Sequence, residues 1–389
     1  MAKRILIDAR MYGLENAGIG RYLINLIEGL SQLGKKEQFI VLLRKKYFNE
    51  LELPPNWKKV EADFRHYTFE EQFKLPEIID KEEPDLVHFP HLNVPILWRG
   101  KFVLTVHDLI MQKQGTDATS LPLALYFFKR IPFLLIARSA VKRAMKIVVP
   151  SEFVKKDVEN YYSISSKKVT VSYEGVTALG GISNSPHFAK ASRGKQSYKL
   201  IEKYDISKPY FLYVGNAYPH KNLKKTVEAI VLLNSQSKEK VMFTIAGSRG
   251  VFKKRLAEEI KRLGAEKYVK LLGYIPDEDL FSLYKNAIAF VYPSKEEGFG
   301  LQGLEAMAAG TLVLASDIPV FREIYGHNAF YFDPNIAGNI SELMLKVKGM
   351  TQKDRNRKIS ESQRFIKRYS WQKMAKETLE VYKQVLEKK

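Results

Sequence analysis

Residues 291–310, VYPSKEEGFGLQGLEAMAAG, decide the fold. An apolar strand end (Phe290, Val291, Tyr292) runs into a Pro-Ser turn and two carboxylates. Gly298, Phe299, Gly300 and Leu301 come next, and then a helix rich in Leu, Ala and Met. Strand, glycine loop and helix in that order make a phosphate-binding corner in α/β proteins. The first turn of a helix has N–H groups without intrahelical partners and carries the positive end of the macrodipole. Gly298 and Gly300 lack a Cβ, so the backbone there can approach a ligand closely or adopt φ > 0. Glu297 stands in the loop and Glu305 about one turn inside the helix. A single acid at a helix start merely complements the dipole. A pair flanking a glycine loop asks for a further role.

Outward from this stretch, strands alternate with helices. In the first half the apolar runs 5–8, 39–43, 85–89, 102–106, 147–149 and 169–171 read as strands. A loop over 9–20 leads to a helix over 21–33, and Ser151 caps a helix over 152–161. The pattern lapses between 175 and 209, in a segment rich in Gly, Ser and Lys. It restarts with strands at 210–214, 241–246, 269–272, 289–292, 312–316 and 329–332. Helices are expected over 222–233, 251–263 and 277–286. Short buried strands separated by helices predict doubly wound parallel sheets. The expected organisation is a Rossmann-like domain over 1–176, a linker over 177–208 and a second Rossmann-like domain over 209–368. A terminal helix over 369–389 packs back on the first domain. Two such halves put a ligand cleft at the carboxyl ends of their strands.

Composition narrows the chemistry. A chain of 389 residues fits two domains better than one core. It has no Cys, which excludes disulfides, thiolate metal sites and a thiol nucleophile. The N-terminus reads as a first strand rather than a signal peptide, and the run 131–137 is far too short to span a bilayer. The expectation is a cytoplasmic protein. A net charge of +20 predicts attraction to polyanions: nucleic acid, anionic lipid or phosphorylated substrates.

Each strand end on the expected cleft offers a group. Gly18 and Gly20 space a loop that opens a helix, and His107 stands just after the fourth strand. The segment 215–223, GNAYPHKNL, places Asn216 at a strand end and Lys221 at a helix start, where a lysine neutralises phosphate. Arg249 stands at the next strand end as a second cation. Cations and N–H groups suit a diphosphate, while two carboxylates suit ribose and sugar hydroxyls. A nucleoside diphosphate sugar needs that set of parts.

EGFGLQGLEAMAAG resembles the E-x7-E signature of the retaining glycosyltransferases of family 4, which have the two-domain GT-B fold. PHKNL, the early Gly-x-Gly-Arg loop, TVHDL, VVPSEF and the closing Ser-Trp helix resemble that family at matching places, so the likeness spans nearly the whole chain. The resemblance implies Glu297 at the donor sugar and reaction centre, Glu305 on the ribose and Lys221 on the pyrophosphate. It also implies His107 in the catalytic cleft, and Gly18 and Gly20 near the donor phosphates. Asn216 stands where many members have Arg, with Arg249 as the candidate replacement. Metal-independent catalysis without a cofactor is implied, in keeping with the lack of an Asp-x-Asp motif. The PHKNL region is similar to mannosyltransferases, which implies GDP-mannose as donor and a glycan or lipid-linked acceptor in cell-surface polysaccharide synthesis.

The stretch 125–146, LYFFKRIPFLLIARSAVKRAMK, holds six Lys or Arg and no acid. It reads either as a peripheral contact with the anionic inner face of the cell membrane or as helical core. Two other enzyme readings keep the fold, a nucleotide-sugar epimerase and a phosphorylase, and the E-x7-E pattern argues against both. A basic nucleic-acid-binding protein rests on net charge alone, since no nucleic-acid module is recognisable.

Overall fold

The computed structural model describes residues 2–387 apart from 35, 117, 118, 120, 121, 177–202, 207, 208 and 249, so most of the expected linker and Arg249 lie outside the described residues. The chain divides into two compact units, Met1–Gly175 with Tyr369–Lys389, and Val176–Arg368. The first holds β1 (Arg4–Asp8), β2 (Gln38–Leu43), β3 (Lys58–Glu61), β4 (Leu86–Phe89), β5 (Phe102–Thr105), β6 (Lys146–Val149) and β7 (Val169–Val171). These form a seven-stranded sheet in the order β3-β2-β1-β4-β5-β6-β7. The second holds β8 (Tyr210–Val214), β9 (Met242–Ala246), β10 (Val269–Gly273), β11 (Phe290–Tyr292), β12 (Val313–Ser316) and β13 (Phe330–Phe332), in the order β10-β9-β8-β11-β12-β13.

Every strand pair is parallel, with β1 facing β2 in register from Arg4 opposite Gln38 to Asp8 opposite Leu42. Parallel sheets are covered on both faces, which is why central strands such as FIVLL and YFLYV are continuously apolar. In β1 the alternation sorts the side chains. Leu6 joins Val87, Phe89 and Leu104 in one core, while Ile5 and Ile7 join Phe39 and Val41 in the other. That second core is closed by two helices, Ala17–Leu33 and Trp371–Glu387, the latter burying Met374, Leu379, Tyr382 and Val385. Gly29 lets them touch: a Cβ there would lie 2.4 Å from Ala375 Cβ.

The order of each sheet reverses at one place, between β1 and β4 and between β8 and β11. Ligands of open α/β sheets bind outside the carboxyl ends of the strands at such a switch point. Two local readings need correction. The first helix begins at Ala17 rather than 21, which takes Gly18 and Gly20 out of the loop and into its first turn. The segment between β2 and β4 also contains the helix Phe69–Lys81 and β3. β3 is an edge strand with the polar sequence KKVE, so it lacks the apolar run of a buried strand. Pro76 interrupts the helical pattern.

His88 ties the terminal helix to the first sheet. It is fully buried on β4, with Nδ1 2.6 Å from Tyr382 Oη and Nε2 2.7 Å from Thr105 Oγ1. Burial, with His107 and His91 nearby, pushes its pKa down from 6.5 to about 3. The folded pKa lies below the unfolded one, so the unfolded chain takes up the proton first. The contribution is complete above pH 6.5 and is lost as pH falls from 6.5 towards 3, by up to about 1.4 kcal/mol per unit. All three tryptophans, Trp57, Trp98 and Trp371, lie in the first unit, so their fluorescence reports its unfolding. In urea titrations at pH 7.0 and 5.5, wild type should lose about 1 kcal/mol more over this interval than His88→Gln. Equal losses would assign the pH dependence elsewhere.

Candidate active site

At the switch point of the second sheet two loops are bound together. The loop after β8 turns through Pro219–Lys221 and reaches the helix Leu223–Gln236 by way of Asn222, which adopts φ 58. The loop after β11 leads to the helix Leu301–Ala308. Lys295 N donates to His220 O at 2.8 Å and joins the two. Between them, Lys221 Nζ donates to Glu297 Oε1 at 2.6 Å, and Ser294 Oγ donates to the same oxygen at 2.7 Å. The Lys221 and Glu297 side chains are only 17% and 10% exposed, whereas Glu296 next to them is exposed. Neighbouring His220 stacks on Tyr218, and burial followed by the Lys221 charge pushes its pKa down to about 4. It is neutral at pH 7, so Lys221 is the cation of this loop.

Gly300 is the N-cap of the helix Leu301–Ala308 and has φ 96. Its carbonyl accepts from Tyr325 Oη at 2.6 Å, and a Cβ on it would lie 2.3 Å from that hydroxyl. The packing of Tyr325 therefore requires this glycine, whatever binds at the helix end. Gly298, Phe299, Leu301 and Glu305 are buried around the same turn, Glu305 one turn into the helix. The Asn216 carbonyl accepts from Tyr213 Oη at 2.9 Å. The structure thus brings Lys221, Glu297 and the glycine-led helix start together.

In the first unit, His107 stands just after β5. Its Nδ1 lies 3.2 Å from Glu174 Oε1, and its ring meets Tyr22 edge-on. Tyr22 Oη is 3.1 Å from Thr105 Oγ1, the atom that also contacts His88. The ring of His107 is therefore held in place, while its Nε2 is buried without a hydrogen-bond partner among the described residues. The glycines of the first helix differ in cause. A Cβ at Gly20 would lie 1.8 Å from Gly13 O, so chain packing demands it, while a Cβ at Gly18 meets nothing within 4 Å.

The switch point of the first sheet holds a buried polar cluster that the sequence reading missed. Arg10 Nε and Nη2 donate to the two oxygens of Asp8 at 2.7 and 2.6 Å, and Nη2 also donates to Glu71 Oε1 at 2.7 Å. Glu71 further accepts from Tyr67 N and Asn93 Nδ2, with His66 Nδ1 at 3.3 Å. Burial alone raises the Asp8 pKa, but the Arg10 charge and hydrogen bonds outweigh it and hold the carboxyl well below its usual range. One donor atom from each of His66, Glu71 and His91 lies within 4.8 Å of the others, a spacing that suits a metal ion. Arg10 already serves as the cation between the two carboxylates, and the Glu71 oxygens are taken by other donors, so the donor set fits an ion cluster better than a metal. Two signals mark it in the sequence: Asp8-x-Arg10 closing an apolar strand, and Thr68-x-x-Glu71 opening a helix, where Thr68 Oγ1 accepts from Glu71 N.

Two family descriptions match the chain: glycosyltransferase family 4 over residues 16–178 and glycosyl transferases group 1 over residues 197–365. The chain belongs to the family 4, group 1 glycosyltransferases. The chain is 34% identical over 187 residues to O-antigen chain mannosyltransferase B of Escherichia coli, covering 47% of this chain and 48% of the relative. It is 28% identical over 269 residues to O-antigen chain mannosyltransferase RfbU of Salmonella typhimurium, covering 69% of this chain and 66% of the relative. The matches thus span about half of one curated relative and just under two thirds of the other. Among solved structures, Anabaena Alr3699/HepE in complex with UDP-glucose superposes with a TM-score of 0.74 over 99% of this chain and 100% of that one, at 18% identity. The fold is GT-B.

The ion cluster around Arg10 gives a direct test. Arg10→Met leaves Asp8 and Glu71 buried and uncompensated. Breaking such a pair costs about 3–5 kcal/mol, read as a shift of the tryptophan-monitored urea transition. A loss under about 1 kcal/mol would show that Arg10 is not their counterion.

Proposed function

We propose that this protein transfers a hexose from a nucleotide-sugar donor to a glycan or lipid-linked acceptor, with retention of configuration at the anomeric carbon. The observation that carries the reading is the Lys221–Glu297 ion pair at the opening of the helix Leu301–Ala308, on the switch point of the second sheet. A diphosphate entering there meets a cation and the N–H groups of a helix start, and it competes with Glu297 for Lys221. Glu297, released from Lys221 and still held by Ser294, then meets the hydroxyls of the transferred sugar. Glu305 holds the ribose. Gly298, Phe299, Gly300 and Leu301 supply backbone to the donor.

In the step itself the bond between the anomeric carbon and the diphosphate oxygen breaks, and the acceptor oxygen bonds to the same face of that carbon. The departing diphosphate takes the acceptor proton and leaves as the nucleoside diphosphate. Charge builds on the leaving phosphate, and Lys221 with the helix donors stabilises it without a metal. In the first unit, His107, whose Nε2 has no hydrogen-bond partner among the described residues, offers that nitrogen to a sugar hydroxyl, and Gly18 leaves open space at its helix start. On this reading Val176–Arg368 is the donor unit and the other unit serves the acceptor. The mannosyltransferase names of two relatives favour mannose, and with it GDP-mannose, over other donors.

The net charge of +20 serves the diphosphate and an anionic membrane surface rather than nucleic acid. Among the described residues no helix is long and apolar enough to cross a membrane. The helix Leu123–Arg143 instead exposes Leu123, Phe127, Ile131 and Leu135 beside exposed Lys129 and Lys142. Ala137, Ala140 and Val141, in its C-terminal part, are buried. We read it as a peripheral contact at the inner face of the cell membrane.

Glu297→Gln should lower transfer from GDP-mannose by about 100-fold or more while the urea transition stays within about 1 kcal/mol of wild type. Wild-type turnover in this variant would remove Glu297 from the reaction centre. Lys221→Ala should weaken GDP binding in calorimetry by about 10-fold or more. Unchanged affinity would remove Lys221 from the diphosphate site.

A further inference from the structure

An apolar cavity of the first unit lies between residues 65–72 and the helix Leu123–Arg143 and has a volume of about 760 Å³. That is the size of a pocket for a sizeable small molecule. Its walls are mostly carbon: Phe69, Met111, Phe128 and Phe133 among them, with Phe69 75% and Phe128 67% exposed. Large apolar side chains left in water side by side mark a surface that meets something apolar.

The pocket is also charged in one sense. Arg65, Lys129 and Arg130 line it, and no carboxylate does among the described residues. Arg130 is fixed in place by neutral oxygens: Nη2 donates to Gln112 O at 2.8 Å, and Nη1 donates to Tyr126 Oη at 2.6 Å and to Met111 O at 3.3 Å. Its positive charge is therefore prepositioned at the wall and uncompensated by any of these partners. Deeper in, His66 Nε2 and Gln72 Nε2 are buried without hydrogen-bond partners among the described residues, and both residues line the cavity. Buried polar atoms of this kind are costly unless a ligand satisfies them.

Apolar walls call for hydrocarbon, three like charges call for an anion, and the two unsatisfied nitrogens call for polar atoms beside it. We propose that this pocket holds one molecule of a phosphorylated lipid, with its chain against Phe69, Phe128 and Phe133 and its phosphate at Arg65, Lys129 and Arg130. The site is a pocket for a single chain and not merely a face that rests on a bilayer. The inference rests on the transfer reading only in taking this lipid as the carrier of the acceptor.

Dodecyl phosphate, used below its micellar concentration, tests the pocket by calorimetry on the full chain. Wild type should bind one molecule, with dodecyl maltoside and inorganic phosphate each at least 10-fold weaker. Phe128→Ser and Lys129→Ser change exposed side chains, and each should weaken dodecyl phosphate by 10-fold or more while leaving the urea transition in place. Unchanged affinity in both variants overturns the proposal. So does inorganic phosphate that competes at equal concentration, which would mark a plain anion site, or dodecyl maltoside that binds as well, which would mark a greasy surface. GDP titrated into the same samples separates the two readings. Dodecyl phosphate binding without GDP binding leaves the pocket standing and removes the donor site, and the reverse removes the pocket alone.

Discussion

A parallel sheet covered by helices on both faces leaves its strands a single free direction, the edge at which they all end. Both sheets of this protein obey that constraint, and it decides where their polar groups can gather. Where the strand order reverses, the loops leaving two neighbouring strands diverge to opposite faces and leave room between them. Lys221 leaves β8 and Glu297 leaves β11 at such a place, and they meet there at 2.6 Å. Asp8, Arg10 and His91 leave β1 and β4 at the corresponding place of the other sheet. These are the points at which an otherwise apolar layer opens.

The two gatherings are built differently. Lys221 and Glu297 retain some exposure, so water and ligand can compete for them and the pair can open at modest cost. Asp8, Arg10 and Glu71 have none, and each side chain compensates the others. A buried cluster of this kind adds little net stability over an apolar substitute, but its parts cannot be removed singly. The first arrangement suits exchange with a ligand. The second suits holding two loops and a helix start at fixed distances.

The fold was legible because buried parallel strands are written as short, unbroken apolar runs, and YFLYV or FIVLL cannot be mistaken for amphipathic surface. The stretch containing Glu297, Gly300 and Glu305 was legible for the same reason: a strand, a glycine loop and a helix stood in plain order. β3 was not, because an edge strand needs no apolar run, and the helix containing Glu71 was hidden by its internal Pro76. The ion cluster was illegible as a cluster. Asp8 and Glu71 are 63 positions apart in the numbering, and only tertiary packing makes them neighbours. Gly20 and Gly300 have a cause the sequence does not show: the Gly13 carbonyl and the Tyr325 hydroxyl leave no room for a side chain at either, whatever binds there.

The first unit is assembled from two separated pieces of chain, with the helix Trp371–Glu387 supplying a wall of the core begun by β1 and the helix Ala17–Leu33. During synthesis the ribosome therefore releases a first sheet with one face only partly covered, by the helix Ala17–Leu33, until the whole of Val176–Arg368 has emerged. The second unit, continuous in sequence, can complete its core first. Residues of the first piece wait for partners made after the whole second unit. In the interval the apolar face of Leu23, Leu26 and Leu30 is the part of the nascent chain that most needs shielding.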